Sequence, residues 1–355
     1  ITDLADEFSS FGNRAVADAH GGTMNGAGFY TAYGIAMLNN LMGNINMKGG
    51  LALDAGPFGP FGPGPRYDFR FKGQAGPKGV ALSRNNRAYE STSEYKRKVA
   101  AGENPYPAKA PWYPLPAGSL TSEMLASGIN GYPYKVKVWL NHMSNPMYAL
   151  NGFANTLKDD ILDPKKLPLI IAVNPFINET AAISDYIVPD TVTYESWGIG
   201  APWSDVVVRS STIRTPVLEP RTEKNADGEV VCLETFLIAA AKRLGMPGFG
   251  ENAIGEPNSD IRYPLNTASD FYLRGMCNIA YAQGRPVGDA SDDDLMLTGM
   301  DKYTELIRNT VKEEEWRKVA MLITRGGRFD DVEDAWNEDQ TQLKIQHKAT
   351  ITVMD

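Results

Sequence analysis

Cysteine and histidine are scarce in this chain. Its 355 residues hold two cysteines, Cys232 and Cys277, and three histidines, His20, His142 and His347. Two thiols so far apart cannot build a metal cage or an iron–sulfur cluster, and three histidines cannot make a histidine-rich metal site. The thiols read as buried core cysteines. Excess positive charge is missing too. The net charge is -8 and the pI about 5.1, so the basic footprint of a nucleic-acid binder is absent. No apolar run is long enough to cross a bilayer, and the longest, Leu167 to Val173, is strand-sized. The phosphate-cradling patterns GxGxxG and GxxxxGK[ST] are lacking, as are GxSxG, HExxH and CxxC. Neither an NAD site nor a P-loop is indicated, and no catalytic constellation emerges.

Glycine and proline, by contrast, are plentiful at 34 and 23. Gly56 to Pro65 reads GPFGPFGPGP, which cannot be regular secondary structure because proline lacks the donor and glycine the restraint. It opens a long, proline-punctuated stretch that runs to about Gly118. The interleaved Phe58, Phe61, Tyr67, Phe69, Trp112 and Tyr113 predict an ordered insertion. Arg66, Arg70, Lys72, Lys78, Arg84, Arg87, Lys96, Arg97 and Lys98 face few acids there. An acidic protein with a locally basic insertion can steer a small anion, and Arg66, Arg84 and Arg87 are the candidates.

The rest of the chain has helix and strand signals. Leu4 to Asn44 predicts helix broken at His20-Gly21-Gly22, with Phe29, Tyr33, Ala36, Met37, Asn40 and Leu41 on an apolar face and Gly43-Asn44 and Gly49-Gly50 as punctuation. Lys135 to Leu140 alternates like a strand that ends at Asn141. The turn Ser144-Asn145-Pro146 leads to a helix over Met147 to Leu157. Leu167 to Val173 predicts a strand buried on both faces, followed by a short helix from Glu179 to Ser184 and a buried strand from Tyr186 to Val188. Such an order implies an α/β fold with a doubly wound, mostly parallel sheet, flanking helices and the Pro/Gly-rich insertion. Further on come a helix over Leu233 to Leu244, an acidic turn at Asp292-Asp293-Asp294, a helix near Met300 to Val311, and a strand over Lys344 to Val353. Asp159-Asp160 and Asp330-Asp331 read as solvated turns. The organisation is 1–52, 53–125, 126–250 and 251–355.

Ligands of open α/β sheets bind at the carboxyl ends of the strands. Asn141, Ser144, Asn145, Asn174, Asn178, Thr180, Asp190 and Glu195 gather at those ends. Amides offer donor and acceptor together, a carboxylate accepts a pair of N–H groups, and diphosphates suit helix N-termini. A nucleotide-bearing cofactor fits this chemistry. The same residue types are also ordinary strand-end and N-cap residues. His142 beside a strand end reads as a hydrogen-bonded packing histidine or a ligand-facing one.

Three stretches resemble the molybdenum bis(guanine dinucleotide) oxidoreductases, the family of dimethyl sulfoxide reductase and formate dehydrogenase. Asn25-Gly26 through Gly43-Asn44 to Gly49-Gly50 is similar to the family's helix and GNxxxxGG turn. Ser144-Asn145-Pro146 resembles its GGNP turn. Asn174 to Ala181, then Ser184 to Pro189 and Glu195, resembles DxFxTETAxxADVVLP with its downstream glutamate. Asn174 stands where an aspartate is common, and Ser144 where a glycine is.

The resemblance implies a cofactor-binding core of the dimethyl sulfoxide reductase-like fold. In it Asn141, Ser144, Asn145, Pro146, Asn174, Thr180, Asp185, Glu195, Gly49 and Gly50 would cradle a molybdopterin guanine dinucleotide (Mo-bisMGD in the full enzyme). Residues 1–52 would then end a first cofactor domain, 126–250 would be the guanine-dinucleotide half, and 251–355 would lead toward a C-terminal barrel. The opening ITDLADEF, with no leader, predicts a piece of a longer protein. An iron–sulfur cluster, the metal ligand and a periplasmic export signal would lie upstream. The implied partners are a membrane anchor subunit, together with an iron–sulfur electron-transfer subunit.

Within the family, the FGPFGPGPRYDF, HGGTMNGAGFYTAYGIAMLNNLMGN and ETFLIAAAKRLGMPGFGENAI stretches resemble the branch that reduces the sulfur oxyanion tetrathionate to thiosulfate. Arsenate, selenate and thiosulfate or polysulfide reduction are the sibling expectations, and a non-catalytic nucleotide- or partner-binding α/β module the second.

Overall fold

The structure, a computed structural model, describes residues 1–18, 28–52, 55–70, 81–82, 88–109, 112, 121–150, 152–201 and 206–344. The chain forms two compact units. One comprises Phe71–Ser196 and Pro216–Gly250, the other Ile1–Arg70, Trp197–Thr215 and Glu251–Asp355. The stretch expected to be a single insertion divides between them at Arg70.

The unit around Phe71–Ser196 carries a parallel sheet of β1 (Val138–His142), β2 (Leu169–Asn174) and β3 (Tyr186–Pro189), in the order β1-β2-β3. The registers run Val138↔Leu169 to His142↔Val173 and Ile171↔Tyr186 to Asn174↔Pro189, so the three carboxyl ends lie side by side. β2 is central, with Ile170, Ala172 and Val173 all buried, which explains its unbroken apolar run. Three expectations need correction. The order never reverses among the described strands, so the doubly wound feature is not seen there. β1 begins at Val138, because pairing with β2 starts only there. Among the described strands β3 has one neighbour, and its Tyr186 and Ile187 are exposed.

The helix expected over Met147 to Leu157 is two, Pro146–Ala149 and Phe153–Leu162, because Gly152 adopts φ 74° between them. Phe153, Leu157 and Ile161 recur every four residues, and the outer two are buried. They pack with Ile129, Met147, Leu167 and Ile170 against the sheet. Helix Leu233–Arg243 forms where it was predicted. Farther from the sheet, Tyr89 and Trp112 are buried with ring centroids 5.4 Å apart. The Trp112 indole donates to Tyr132 Oη (2.9 Å), which donates to Glu94 (2.8 Å).

The second unit is built on helices Ala268–Ala280 and Trp316–Arg325. It also holds an antiparallel sheet of β4 (Gly198–Gly200), β5 (Ser210–Arg214) and β8 (Gly327–Phe329), and a pair of strands, β6 (Gly250–Gly255) and β7 (Arg262–Leu265). Leu273, Met276, Ile279, Val319 and Leu322 are buried at helical spacing. The GPFGPGP loop is ordered by side chains. Asn278, fully buried, donates to Pro60 O and Tyr67 O and accepts from the Arg66 and Tyr67 N–H groups, each at 2.9–3.0 Å. Gly64 lies so close that a Cβ would sit 2.0 Å from the Asn278 amide.

Two further readings change here. Asp292-Asp293-Asp294 is the first turn of helix Asp292–Thr298, capped by Ser291, where acids complement the helix dipole. Helices Thr2–Ser10 and Gly28–Met42 flank the expected break, but Tyr33, Met37 and Leu41 on the latter are exposed while Asn39 is buried. Cys232 and Cys277 are buried free thiols. His20, Asn25, Gly26 and the Lys344 to Val353 strand, beyond Lys344 itself, lie outside the described residues.

Candidate functional site

The carboxyl ends of β1, β2 and β3 collect most of the polar residues singled out from sequence, and hydrogen bonding divides them. The turn after β1 is tied to the helix after β2. The Asn141 amide donates to Ser144 O (2.8 Å), and Ser144 Oγ donates back to Asn141 Oδ1 (2.5 Å). Asn145 Oδ1 accepts from Thr180 N (3.2 Å) and Thr180 Oγ1 (2.8 Å), while its amide donates to Glu179 (2.5 Å). Buried Thr180 Oγ1 accepts from Met147 N (3.1 Å). Pro146 begins its short helix, where its missing donor costs nothing. Asn178 caps helix Glu179–Ala182 through Ala181 N (2.9 Å).

The tip of β2 differs. Asn174 is only 6% exposed, yet its Nδ2 has no hydrogen-bond partner. A buried polar group left so costs about 1–3 kcal/mol. Beside it Met143 takes φ 47°, rare for a side chain of this kind. Asp190 donates its N–H to Asn174 O (3.2 Å) and is itself buried. Its Oδ1 accepts from Thr191 N (2.9 Å) and from Leu233 N (3.1 Å) at the start of helix Leu233–Arg243. Its Oδ2 meets His142 Nε2 at 2.9 Å. Glu195 closes its own turn on Val192 N (3.1 Å).

Asp190, Cys232 and Glu234 bring ligand atoms within 4.8 Å of one another. Both Asp190 oxygens are already engaged, however, and burial pushes the Cys232 thiol up to about 11. This trio is a packed hydrogen-bonded corner.

Several expected site residues lie elsewhere. Asp185 accepts from Ile170 N (2.7 Å) at the amino end of β2, the opposite edge from the site, because it directly precedes β3. It holds the sheet together there. Gly49 and Gly50 belong to the other unit, in a tight turn where Leu51 N donates to Asn44 O (3.0 Å). A Cβ on Gly50 would lie 2.1 Å from Asn44 O, which is the reason for glycine. Asn44 there is buried with its Oδ1 unpartnered. Arg66 is ion-paired to Glu314 (3.0 Å) and Glu315, and stacks 4.9 Å from the Tyr281 ring. Its guanidinium is a structural tie, which removes it from the steering set. Arg84 and Arg87 lie outside the described residues.

No family model matches the chain. Curated relatives do, along nearly all of it. The A subunit of tetrathionate reductase from Salmonella typhimurium (strain LT2) is 46% identical over 341 residues, 96% of this chain and 33% of that protein. The A subunit of selenate reductase from Mesobacillus selenatarsenatis is 32% identical over 364 residues, 97% of this chain and 33% of that protein. The corresponding tetrathionate reductase polypeptide of Archaeoglobus fulgidus is 31% identical over 353 residues, covering 95% and 31%. The chain belongs to the family of these reductase A subunits. It spans about a third of the length of the relatives it matches.

In this chain the polar residues of the strand ends were legible in sequence, but their pairings were not. Glu179 is the partner of Asn145, and His142 is the partner of Asp190. The acid in Asn178-Glu179-Thr180 was a usable signal for the first. Nothing local announces the second.

The Asn145–Glu179 contact gives a pH prediction. The Asn145 amide, then the residue's own backbone N–H, holds the Glu179 carboxyl below its ordinary value. A depressed carboxylate adds stability above the unfolded carboxylate range and loses it as pH falls through the folded value. Asn145→Ala should cost about 2 kcal/mol at neutral pH through the deprived Thr180 donors. The difference from wild type should shrink on acidification into the carboxylate range. Urea unfolding at a series of pH values measures this, and a pH-independent difference would exclude a charge-assisted bond.

Proposed function

We propose that the carboxyl ends of β1–β3 hold the guanosine diphosphate part of a molybdopterin guanine dinucleotide, within a larger catalytic subunit that reduces tetrathionate to thiosulfate. The observation that carries this is the 46% identity to a tetrathionate reductase relative along 96% of the chain. The donor set suits the group. An unpartnered amide on Asn174, the Asn145-Pro146 turn and the capped start of helix Glu179–Ala182 offer donors and acceptors to a base and a diphosphate. We extend the reading to a doubly wound, dimethyl sulfoxide reductase-like core. Asn44 with Gly49 and Gly50 would contribute toward a second cofactor half.

Reduction adds two electrons across the central sulfur–sulfur bond, which breaks to give two thiosulfates. The molybdenum centre would supply that two-electron chemistry, and this chain would supply binding and orientation. Electrons would arrive at the periplasmic face by way of a membrane anchor subunit, then an iron–sulfur partner subunit, then an iron–sulfur cluster. No helix of the described residues is long and apolar enough to cross a membrane. Selenate reduction is the second reading, favoured by the 32% identical relative.

The test is oxidation of a reduced viologen by the intact, anaerobically purified gene product, with tetrathionate, selenate, arsenate and thiosulfate offered separately. Turnover greatest with tetrathionate supports the proposal. Turnover greatest with another acceptor replaces the substrate, and no turnover with no bound guanine nucleotide returns the chain to a binding module. Anion steering now rests on Arg84 and Arg87. Replacing both with Gln should raise KM several-fold with kcat unchanged, more so at low ionic strength. An unaltered KM would remove that role.

A further inference from the structure

Nearly every polar side chain at the strand ends is engaged within the protein. Asn141, Ser144, Asn145, Asn178, Thr180 and Glu195 each have partners at 2.5–3.4 Å. Two groups stand apart: the unpartnered Asn174 amide and the imidazole of His142, whose side chain is 35% exposed. We propose that His142, oriented by Asp190, contacts the bound nucleotide and accepts a hydrogen bond from it through Nδ1. This rests on the strand ends being a nucleotide site, and adds a residue and a polarity to it.

The polarity follows from Asp190. Its Oδ1 is fixed by two backbone N–H groups, Thr191 and Leu233, which leaves Oδ2 to face His142 Nε2 at 2.9 Å. A carboxylate can only accept, so Nε2 must carry the proton. In the neutral imidazole Nδ1 is then an acceptor, held in orientation by a buried anchor 6% exposed at its side chain. Asp190 also donates its N–H to Asn174 O, so the imidazole's anchor and the orphan amide share the tip of β2. An acceptor here suits an O–H or N–H donor of the nucleotide. A ribose hydroxyl, the guanine N1–H and the guanine 2-amino group are the three sources of that chemistry.

Asp190 is a positioning residue, and its amide variant separates positioning from mere packing. In Asp190→Asn, the two backbone donors retain Oδ1, so Nδ2 takes the place of Oδ2 and donates to Nε2. The imidazole proton then moves to Nδ1, and the acceptor offered to the ligand becomes a donor.

With three histidines in the chain, nitrogen-15 histidine spectra can be assigned by one His142→Gln variant. The 355-residue chain should show His142 protonated on Nε2, and Asp190→Asn should show it protonated on Nδ1. Adding GDP should shift the wild-type Nδ1 resonance. By calorimetry, His142→Ala should bind GDP about three- to tenfold more weakly, the loss of one hydrogen bond. Asp190→Asn should lose at least as much with its fold retained. Repeating the pair with 1-methyl-GDP, IDP, and 2′-deoxy- and 3′-deoxy-GDP distinguishes the sources. For the analogue lacking the contacted donor, wild type and His142→Ala should bind alike.

GDP binding that His142→Ala and Asp190→Asn leave unchanged overturns the assignment and spares the nucleotide site. A wild-type Nδ1–H tautomer overturns the polarity. A wild-type chain that binds none of these nucleotides overturns both the site and the residue.

Discussion

Asn278→Ala is expected to destabilise its unit by about 3–5 kcal/mol, a large part of the roughly 5–15 kcal/mol that holds a typical domain. An asparagine amide can make four hydrogen bonds, and Asn278 makes all four to one loop. It binds Pro60 O, the Arg66 N–H, and both the N–H and the C=O of Tyr67. That loop contains GPFGPGP, whose backbone is held partly by turn bonds such as Phe69 N to Gly62 O (3.0 Å) and partly by this one buried side chain. Alanine would strand these groups around a cavity. Gly64→Ala should act on the same contact from the other side, because its Cβ would lie 2.0 Å from Asn278 Nδ2. Urea unfolding measures the loss, and hydrogen exchange should localise it to residues 58–68. A cost under about 1 kcal/mol for Asn278→Ala would show that water replaces the amide.

How much of this was legible in the sequence depends on how far each residue's partner lies along the chain. β2 was plain because both its faces are buried, and that writes itself as an apolar run. Helix Leu233–Arg243 was plain because its face and its stop are local. β1 was misplaced toward Lys135 because alternation there continues before any neighbour is present, β2 beginning only opposite Val138. β3 looked buried because Tyr-Ile-Val is apolar, and composition does not say whether a strand has one neighbour or two.

The same rule sorts the site. Asn178 acts through a local cap, which sequence shows, whereas Asn145 and Thr180 bond each other across 35 residues of sequence. Asp185, expected from the resemblance alone to cradle the cofactor, lies at the amino edge because it directly precedes β3. The His142–Asp190–Leu233 connection spans three separate elements, so no window of sequence contains it. Arg66 misled for a related reason. In sequence it sits among basic neighbours, but its carboxylate partners come some two hundred and fifty residues later.

Glu315→Ala is expected to cost about 3–5 kcal/mol, because removing one partner of a buried ion pair leaves the other without compensation. Glu315 is 0% exposed and accepts from Tyr67 Oη (2.6 Å), Lys312 N (3.1 Å) and Arg66 Nε. Burial, and then the charge of Glu315, push the Tyr67 phenol far above its ordinary range, so the hydroxyl stays a donor to this carboxylate. Arg66 is 27% exposed and keeps Glu314, so Arg66→Ala should cost less, about 1–2 kcal/mol. The double variant should fall short of the sum by at least about 1 kcal/mol, which a double-mutant cycle on urea unfolding reads directly. Additive losses would mean that the pair is not coupled. The same Arg66→Ala substitution in the intact gene product should leave KM for tetrathionate, the proposed substrate, unchanged. A raised KM with stability intact would return Arg66 to the steering role that its place in the sequence suggests.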